Sequence, residues 1–361
     1  MESLSPVVAK ELYGDISTSS ISKIEKYAGC AFSHFVTFGL ELSEREEYEL
    51  NNMDLGNVFH EALEIMSNNM LKEGLDFSLA DDEKRQEYVI QAVDEAILKY
   101  ERISFYDSST NLYMKKRITE MVSRTAWALG KQLQSGKFKP VAFEKEFNDK
   151  VDGINIHGKI DRIDIYENDD EAYVKIIDYK SGKHNLSVKE IYAGIKLQLM
   201  VYLKSTMDQM KKQNKYKKII PAAVLYNHID NPIIEENKDI EKELLNQMAP
   251  TGMVSEESIN VLDCYSDEGV KVIPGKKDIM SGEQLKTLSE FASAKMTDLQ
   301  KEINEGNIQV NPYEDACDYC SYKGICGFNE RNGHYRNFKD DIPDTDVIWE
   351  KLGFEADEEG K

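Results

Sequence analysis

Apolar positions along this chain follow helical spacing, then alternation, then helical spacing again. Ile21, Ile24 and Tyr27 stand three apart, with Ser20 or Ser22 able to cap, which predicts a helix from about residue 19. Leu55, Val58, Phe59, Ala62, Leu63 and Met66 line one face of a helix over residues 54–71. Two further helical stretches cover 81–103 and 110–135. The pattern then shortens. Residues 141–147, 154–166 and 173–179 are β-branched and alternating, with polar turns at 149–153 and 167–171, which predicts two hairpins or a three-stranded meander. A helix over 188–213 and a strand over 219–228 follow, then a mixed polar stretch over 230–280. Leu285, Leu288, Phe291, Ala292, Met296 and Leu299 make 284–304 an amphipathic helix. The expected class is mixed α/β, a small central sheet flanked by helices, with a helical N-terminal part. Residues 1–18 show no periodic apolar pattern and read as a lead-in; the domain is expected over 19–330 and an acidic tail over 331–361.

Composition narrows the class. The 361 residues are 41 % hydrophobic and 31 % charged, ordinary for a globular protein. No run is long and apolar enough to span a bilayer, and no charged-then-apolar leader opens the chain, so no membrane association and a cytoplasmic location are expected. The net charge of −21 argues against a free-standing nucleic-acid binder and favours a partner that supplies most of the grip. The charge is uneven: residues 340–361 hold nine acids and two lysines, whereas 211–218 hold five lysines. The phosphate-loop pattern G-x-x-x-x-G-K-S/T is absent, so ATP-driven unwinding is not expected in this chain.

Two strand segments carry polar groups that a buried strand ordinarily excludes. In Gly158-Lys159-Ile160-Asp161-Arg162-Ile163-Asp164, strict alternation puts Asp161 and Ile163 on one face and Ile160, Arg162 and Asp164 on the other. In Ile176-Ile177-Asp178-Tyr179-Lys180-Ser181-Gly182, Asp178 and Lys180 share a side, after an apolar run over 174–177. A carboxylate at the end of a buried strand is costly unless paired or metal-bound. Two carboxylates about 4 Å apart repel by roughly 4 kcal/mol at an effective dielectric of 20, and a divalent cation reverses that sign. D-x-K alone is weak, since most such pairs are exposed ion pairs. Gln198 and Tyr202, one helical turn apart, are candidates to contact a DNA backbone or to hold Lys180. His60 stands four before Glu64, and Gly56 a turn earlier leaves room for a close approach.

The series G-x-x-x-H at Gly56–His60, G-x-I-D-R-I-D at Gly158–Asp164, D-Y-K-S-G at Asp178–Gly182 and Q-L-x-x-Y at Gln198–Tyr202 resembles the RecB-type branch of the PD-(D/E)-x-K nucleases. That resemblance implies a restriction-endonuclease-like core. It implies Mg²⁺ or Mn²⁺ held by His60, Asp161, Asp178 and the Tyr179 carbonyl, with Lys180 catalytic and Gln198 and Tyr202 as the trailing motif.

Five cysteines remain: Cys30, Cys264, Cys317, Cys320 and Cys326. An odd, sparse set in a cytosolic chain is no disulfide framework, and the spacing of Cys317, Cys320 and Cys326 points to a metal or cluster. Four thiolates suit either Zn²⁺ or a 4Fe-4S cluster. Glu25-Lys26-Tyr27, Cys30, Phe32, Phe35 and Gly39-Leu40, together with Asn311-Pro312-Tyr313, Cys317, Cys320, Tyr322 and Cys326, are similar to the iron-staple nuclease domain of the AddB family, from about residue 5 to 330. The resemblance implies a 4Fe-4S cluster on Cys30, Cys317, Cys320 and Cys326, which tethers the C-terminal part. It also implies single-stranded DNA ends as substrate, cutting of the 5′-ended strand, a helicase partner of the AddA type, and a role in break repair. The helicase-like region that precedes this domain in the family has no counterpart here, so a cut-out domain or a shortened protein is expected. Closing so long a loop is worth about 4–5 kcal/mol in the chain-entropy account of cross-links. Cys264 reads as an ordinary free thiol. Competing readings are a stand-alone CRISPR-adaptation exonuclease with the same core and cluster, disfavoured by the long 230–310 stretch, and a catalytically silent scaffold on DNA ends, disfavoured by the intact Asp161, Asp178 and Lys180.

Overall fold

Alternation over the middle of the chain becomes an antiparallel meander, and helices cover both of its faces. The computed structural model describes residues 3–13, 18–43, 52–99, 109–151, 154–182, 184–229, 232, 234, 239–262, 279–329 and 335–355. Helix α1 (Pro6–Tyr13) and strand β1 (Thr18–Ser20) precede α2 (Ile21–Gly29) and α3 (Ala31–His34), which runs into a π-helical turn at Phe35–Gly39. Helices α4 (Asn52–Lys72), α5 (Asp82–Lys99) and α6 (Ser109–Ser135) lead into β2 (Lys139–Val151), β3 (Ile154–Asn168) and β4 (Glu171–Ser181). Then come α7 (Val188–Ala193), α8 (Gln198–Gln213), β5 (Lys218–Ile229), α9 (Ile240–Gln247), β6 (Thr251–Ser255), β7 (Ile279–Met280), α10 (Gly282–Asn304) and α11 (Thr345–Lys351). No helix among the described residues is long and apolar enough to cross a membrane.

The sheet is mixed. Strands β2, β3 and β4 pair antiparallel, β5 joins β4 in parallel after the α7–α8 crossover, β6 adds antiparallel to β5, and β7 parallel to β6. Register positions the site. Strand β3 pairs with β4 only from Asn168–Glu171 to Arg162–Ile177, and with β1 only over Asn155–His157. Strand β2 occupies the other edge of β3 throughout. So β4 and β1 share one edge, and between them, on that edge, residues 158–161 have no strand beside them among the described residues. The sheet forks there.

Period-two burial divides the core. Ala172, Val174 and Ile176 of β4 pack with Ile156, Ile160 and Ile163 of β3 against α2, α8 and α10. Ile177, Tyr179, Ala223 and Leu225 face the other way, against α4, α5 and α6. On this second face lies a buried ionic group. Arg162 donates to both oxygens of Asp164 at 2.6 and 2.7 Å, and Lys175 Nζ stands 2.9 Å from Asp164 Oδ2. All three side chains are at most 1 % exposed.

Several expectations need correction. The run over 174–177 is not wholly apolar in its role, because Lys175 is buried as the partner of Asp164. Ile160 lies with Ile163, not with Arg162 and Asp164. Strict alternation fails at Asp161, opposite which Glu144 adopts a left-handed backbone with φ 43°. The single helix over 188–213 is two, parted at Gly194, whose φ is 86° and where a Cβ would stand 2.7 Å from Leu299. The lead-in contains α1, held by tertiary contact: Ala9 is fully buried and the Leu4 N–H donates to Gly306 at 2.8 Å. The acidic tail docks too, through buried Ile342 and Ile348 and a 2.7 Å Lys189–Asp344 ion pair.

Candidate active site

The fork exposes polar backbone that side chains satisfy. With no strand on the β4 side of it, Asp161 turns its carboxylate across the gap, and Oδ2 accepts the Tyr179 N–H at 2.7 Å. His60, projecting from α4, brings Nδ1 to 3.5 Å from Asp161 Oδ2 and 3.7 Å from Glu144 Oε1. Its ring meets that of Tyr179 edge-on at 6.2 Å. The ligand atoms of His60, Glu144 and Asp161 all lie within 4.8 Å of one another. On β4, Asp178 Oδ2 is 2.7 Å from Lys180 Nζ, and Oδ1 accepts from Gln198 Nε2 at 3.1 Å. Beyond the Lys180 ion pair, the buried Oδ2 atom has no well-formed hydrogen bond. Tyr202 packs on Phe147 at 5.4 Å, and its hydroxyl lies 2.6 Å from where a Cβ on Gly158 would stand. That close approach explains the glycine of the G-x-I-D segment. Gly158→Ala is expected to push Tyr202 and α8 outward and lower kcat about tenfold, from a shift of well under 1 Å. Adding Tyr202→Phe, which removes the clashing oxygen, should recover part of the loss in steady-state kinetics. By contrast, a Cβ on Gly56 would meet nothing within 4 Å, so packing does not require that glycine.

Electrostatics shows a site under tension. Burial, then the Asp178 charge and Glu144, push the Asp161 carboxyl up to about 7. Burial opposes charge on His60, but Glu144, Asp161 and Asp178 outweigh it and raise its pKa. Burial likewise opposes charge on Lys180, and Asp178, Asp161 and Glu25 prevail, so the ammonium is held. Asp161, Asp178 and Glu144 thus crowd negative charge that a divalent cation would relieve. The buried, under-bonded Asp178 oxygen and the compact His60–Glu144–Asp161 group fit such an ion.

The structure therefore brings Asp178, Lys180, Gln198 and Tyr202 into one linked group, and His60 with Asp161 into another beside it. Glu144 is the functional candidate that sequence reasoning misses. It sits in an ordinary charged stretch, Phe143-Glu144-Lys145-Glu146, and only the left-handed backbone, costing about 1–2 kcal/mol, turns it to the site. Lys159 bridges it to Glu64, at 3.5 and 3.1 Å. Glu64 is thus held by Lys159.

The cysteines converge at the other end of α2. Cys30 is buried at the break between α2 and α3, and Cys317, Cys320 and Cys326 are part-exposed. Burial, then the neighbouring Cys30, Cys320 and Cys326, raise the Cys317 thiol pKa. A backbone clasp surrounds them: Tyr313 N–H donates to Gly29 at 3.0 Å, Phe32 N–H to Gln309 at 3.1 Å, and Ala31 N–H to Asn311 Oδ1 at 3.2 Å. Arg336 donates to the Ala28 and Gly29 carbonyls at 2.6 and 3.1 Å, with its guanidinium 3.9 Å over the Tyr313 ring. Cys264 lies outside the described residues.

The chain is 33 % identical over 387 residues to a Lachnoclostridium phytofermentans protein named as a subunit of an ATP-dependent helicase/deoxyribonuclease, an alignment covering 100 % of this chain and 34 % of that protein. Proteins of the same name from Alkaliphilus metalliredigens and a Thermoanaerobacter species are 30 % and 31 % identical, covering 92 % and 97 % of this chain and 32 % and 33 % of their own lengths. The chain thus spans about a third of the length of the curated relatives it matches. Residues 18–327 match the family described as the PD-(D/E)XK nuclease superfamily, a span that takes in the forked sheet, the carboxylates and all four clustered cysteines. The chain belongs to the PD-(D/E)XK nuclease superfamily.

Proposed function

We propose that this chain hydrolyses phosphodiesters at single-stranded DNA ends with Mg²⁺ or Mn²⁺, cutting the 5′-ended strand, as the nuclease part of a helicase–nuclease whose other subunit is of the AddA type. The observation that carries the reading is the fork between β3 and β4, where Asp161, Asp178 and Lys180 meet with His60 and Glu144 beside them. Asp161 and Asp178 would hold the ion with His60, Glu144 and the Tyr179 carbonyl. Such an ion lowers the pKa of a bound water and stabilises the leaving oxygen of a phosphodiester. The chain's own groups do the rest. The Asp161 carboxylate is fixed by the Tyr179 N–H, and Asp178 by the Gln198 amide. Lys180, held charged by Asp178, stands where it can orient water and offset negative charge developing on phosphate. The net charge of −21 leaves much of the grip on DNA to a partner. The test is cleavage of 5′- and 3′-labelled single-stranded DNA in Mg²⁺, with a chelator control. Release of short 5′-labelled products in Mg²⁺ alone is expected, and intact DNA under all conditions, with or without the helicase subunit, would overturn the reading.

Cys30, Cys317, Cys320 and Cys326 are proposed to hold a 4Fe-4S cluster. One distant cysteine joined to a tight trio suits a cluster better than the two close pairs usual for structural zinc. Purified protein should be brown, with about four irons per chain. Cys320→Ala should lose the iron and about 2–4 kcal/mol of stability. The loss falls short of the full loop-closure value because the clasp at Gly29, Asn311 and Arg336 still ties the ends. A colourless parent carrying one zinc, or a Cys320→Ala variant that keeps its iron, would refute the cluster.

A further inference from the structure

The first turn of α8 sets Gln198 on Asp178, yet that turn has no cap of its own. Leu197 occupies the N-cap position, with an apolar side chain and no side-chain hydrogen bond. The first N–H groups of a helix lack intrahelical acceptors, and a Ser, Thr, Asp or Asn at the cap usually supplies one. Here the acceptor comes from far away in sequence. Glu25, in the middle of α2, accepts the Leu197 N–H at 2.5 Å and the Gln198 N–H at 2.9 Å, both on Oε1. A carboxylate at this end of a helix also faces the positive pole of the helix dipole.

The helix that carries Glu25 is itself secured at both ends. Before it, β1 is hydrogen-bonded to β3 at Asn155–His157, at the mouth of the fork. After it, the Ala28 and Gly29 carbonyls are gripped by Arg336, and Gly29 also by the Tyr313 N–H. Between these anchors, Ile21, Ile24, Tyr27 and Ala28 are buried in the core, so the helix has little freedom to shift. Glu25 therefore offers α8 a fixed point that no residue near Gln198 in sequence provides.

We propose that Glu25 is a positioning residue for the nuclease reaction, holding the first turn of α8 so that the Gln198 amide keeps Asp178 in place beside Lys180. The proposal rests on the nuclease reading above. Glu25 acts through Gln198 and not on the substrate, its charge being the smallest of those that hold Lys180 protonated. Its effect is expected in kcat and in metal affinity, not in the binding of DNA. The two acceptor contacts use one oxygen, so a glutamine carbonyl can replace it, whereas alanine cannot.

The experiment is a double-mutant cycle on Glu25→Ala and Gln198→Ala, with Glu25→Gln alongside. It is read as kcat and KM on labelled single-stranded DNA, and as Mn²⁺ affinity by calorimetry without DNA. Glu25→Ala is expected to lower kcat about tenfold or more, with KM within about twofold, and to weaken Mn²⁺ binding severalfold. Glu25→Gln should recover most of both losses. The double variant should be no worse than the poorer single, because both changes break one chain of contacts. If Glu25→Ala does not fold, Glu25→Asp, which withdraws the carboxylate by one methylene, takes its place in the cycle. Parent-like kcat and Mn²⁺ affinity in a folded variant, even one that melts early, would make Glu25 a structural cap and overturn the proposal. Fully additive effects would do the same. A parent that cuts no DNA sinks the nuclease reading instead, and the Mn²⁺ arm of the cycle still decides whether Glu25 acts through Gln198.

Discussion

Replacing Asp178 with asparagine is expected to reduce Mg²⁺-dependent cleavage at least about a thousandfold, roughly 4 kcal/mol of transition-state stabilisation. Asparagine keeps the shape of the side chain and an oxygen for Gln198, so the loss measures the charge and not the packing. The same change should leave the metal-free protein at least as resistant to heat as the parent. Burial first, and then the Asp178 charge, hold the Asp161 carboxyl up at about 7, so neutralising Asp178 relieves a repulsion within the fold. Lys180 loses its ion pair, but at 31 % exposure it can turn to water. A site that is destabilising without its metal and indispensable with it is the expected behaviour of a functional centre. Single-turnover cleavage of 5′-labelled DNA, beside thermal melts in chelator, reads both quantities. Undiminished cleavage by the asparagine variant would place the chemistry elsewhere.

Asp164→Ala should act in the opposite way, with a large effect on stability. Arg162 and Lys175 are each 1 % exposed and both pair with the Asp164 carboxylate. Removing it leaves two cations in a dry interior, a change that costs about 3–5 kcal/mol when a buried ion pair is broken from one side. Total stabilities of domains are about 5–15 kcal/mol, so the variant is expected to be marginal at ordinary temperatures. The pH dependence follows from the folded-state shift. Burial works against the Asp164 charge, but Arg162 and then Lys175 overcome it, and the pKa is lowered. A depressed carboxyl contributes its stability above the unfolded-state value of about 4, and loses it as pH falls through the lower folded value. The difference in unfolding free energy between parent and variant should be flat above about pH 5 and shrink below about pH 4. Denaturant titrations over that range check it; a difference independent of pH would mean that packing, not charge, holds the site.

Much of this site is legible in the chain itself. The D-x-K spacing puts Asp178 and Lys180 on one side of β4, where they form a 2.7 Å pair, because alternation along a paired strand is obligatory. The i, i+4 relation of Gln198 and Tyr202 likewise survives into α8. Alternation misleads at Asp161, because the strand there has no β4 partner and the residue opposite on β2, Glu144, is turned by a left-handed backbone. Glu144 and Lys175 carry no local mark of their roles. One is set by an irregularity in a neighbouring strand, the other by a carboxylate eleven residues away in sequence and adjacent only across the β3–β4 pair.

The chain by itself determines its long amphipathic helices and the strands of the meander, the order of its chemical motifs and the side of β4 that bears the acid and the lysine. These depend on spacing between near neighbours, which the periods of helix and strand convert directly into shared faces. Tertiary structure alone decides where the sheet forks, that Glu144 joins His60 and Asp161, that Glu25 supplies the missing cap of α8, and that Cys30 meets a trio nearly three hundred residues on. Each of these joins segments far apart along the chain. Only packing of the sheet between its two helical layers brings them within reach of one another.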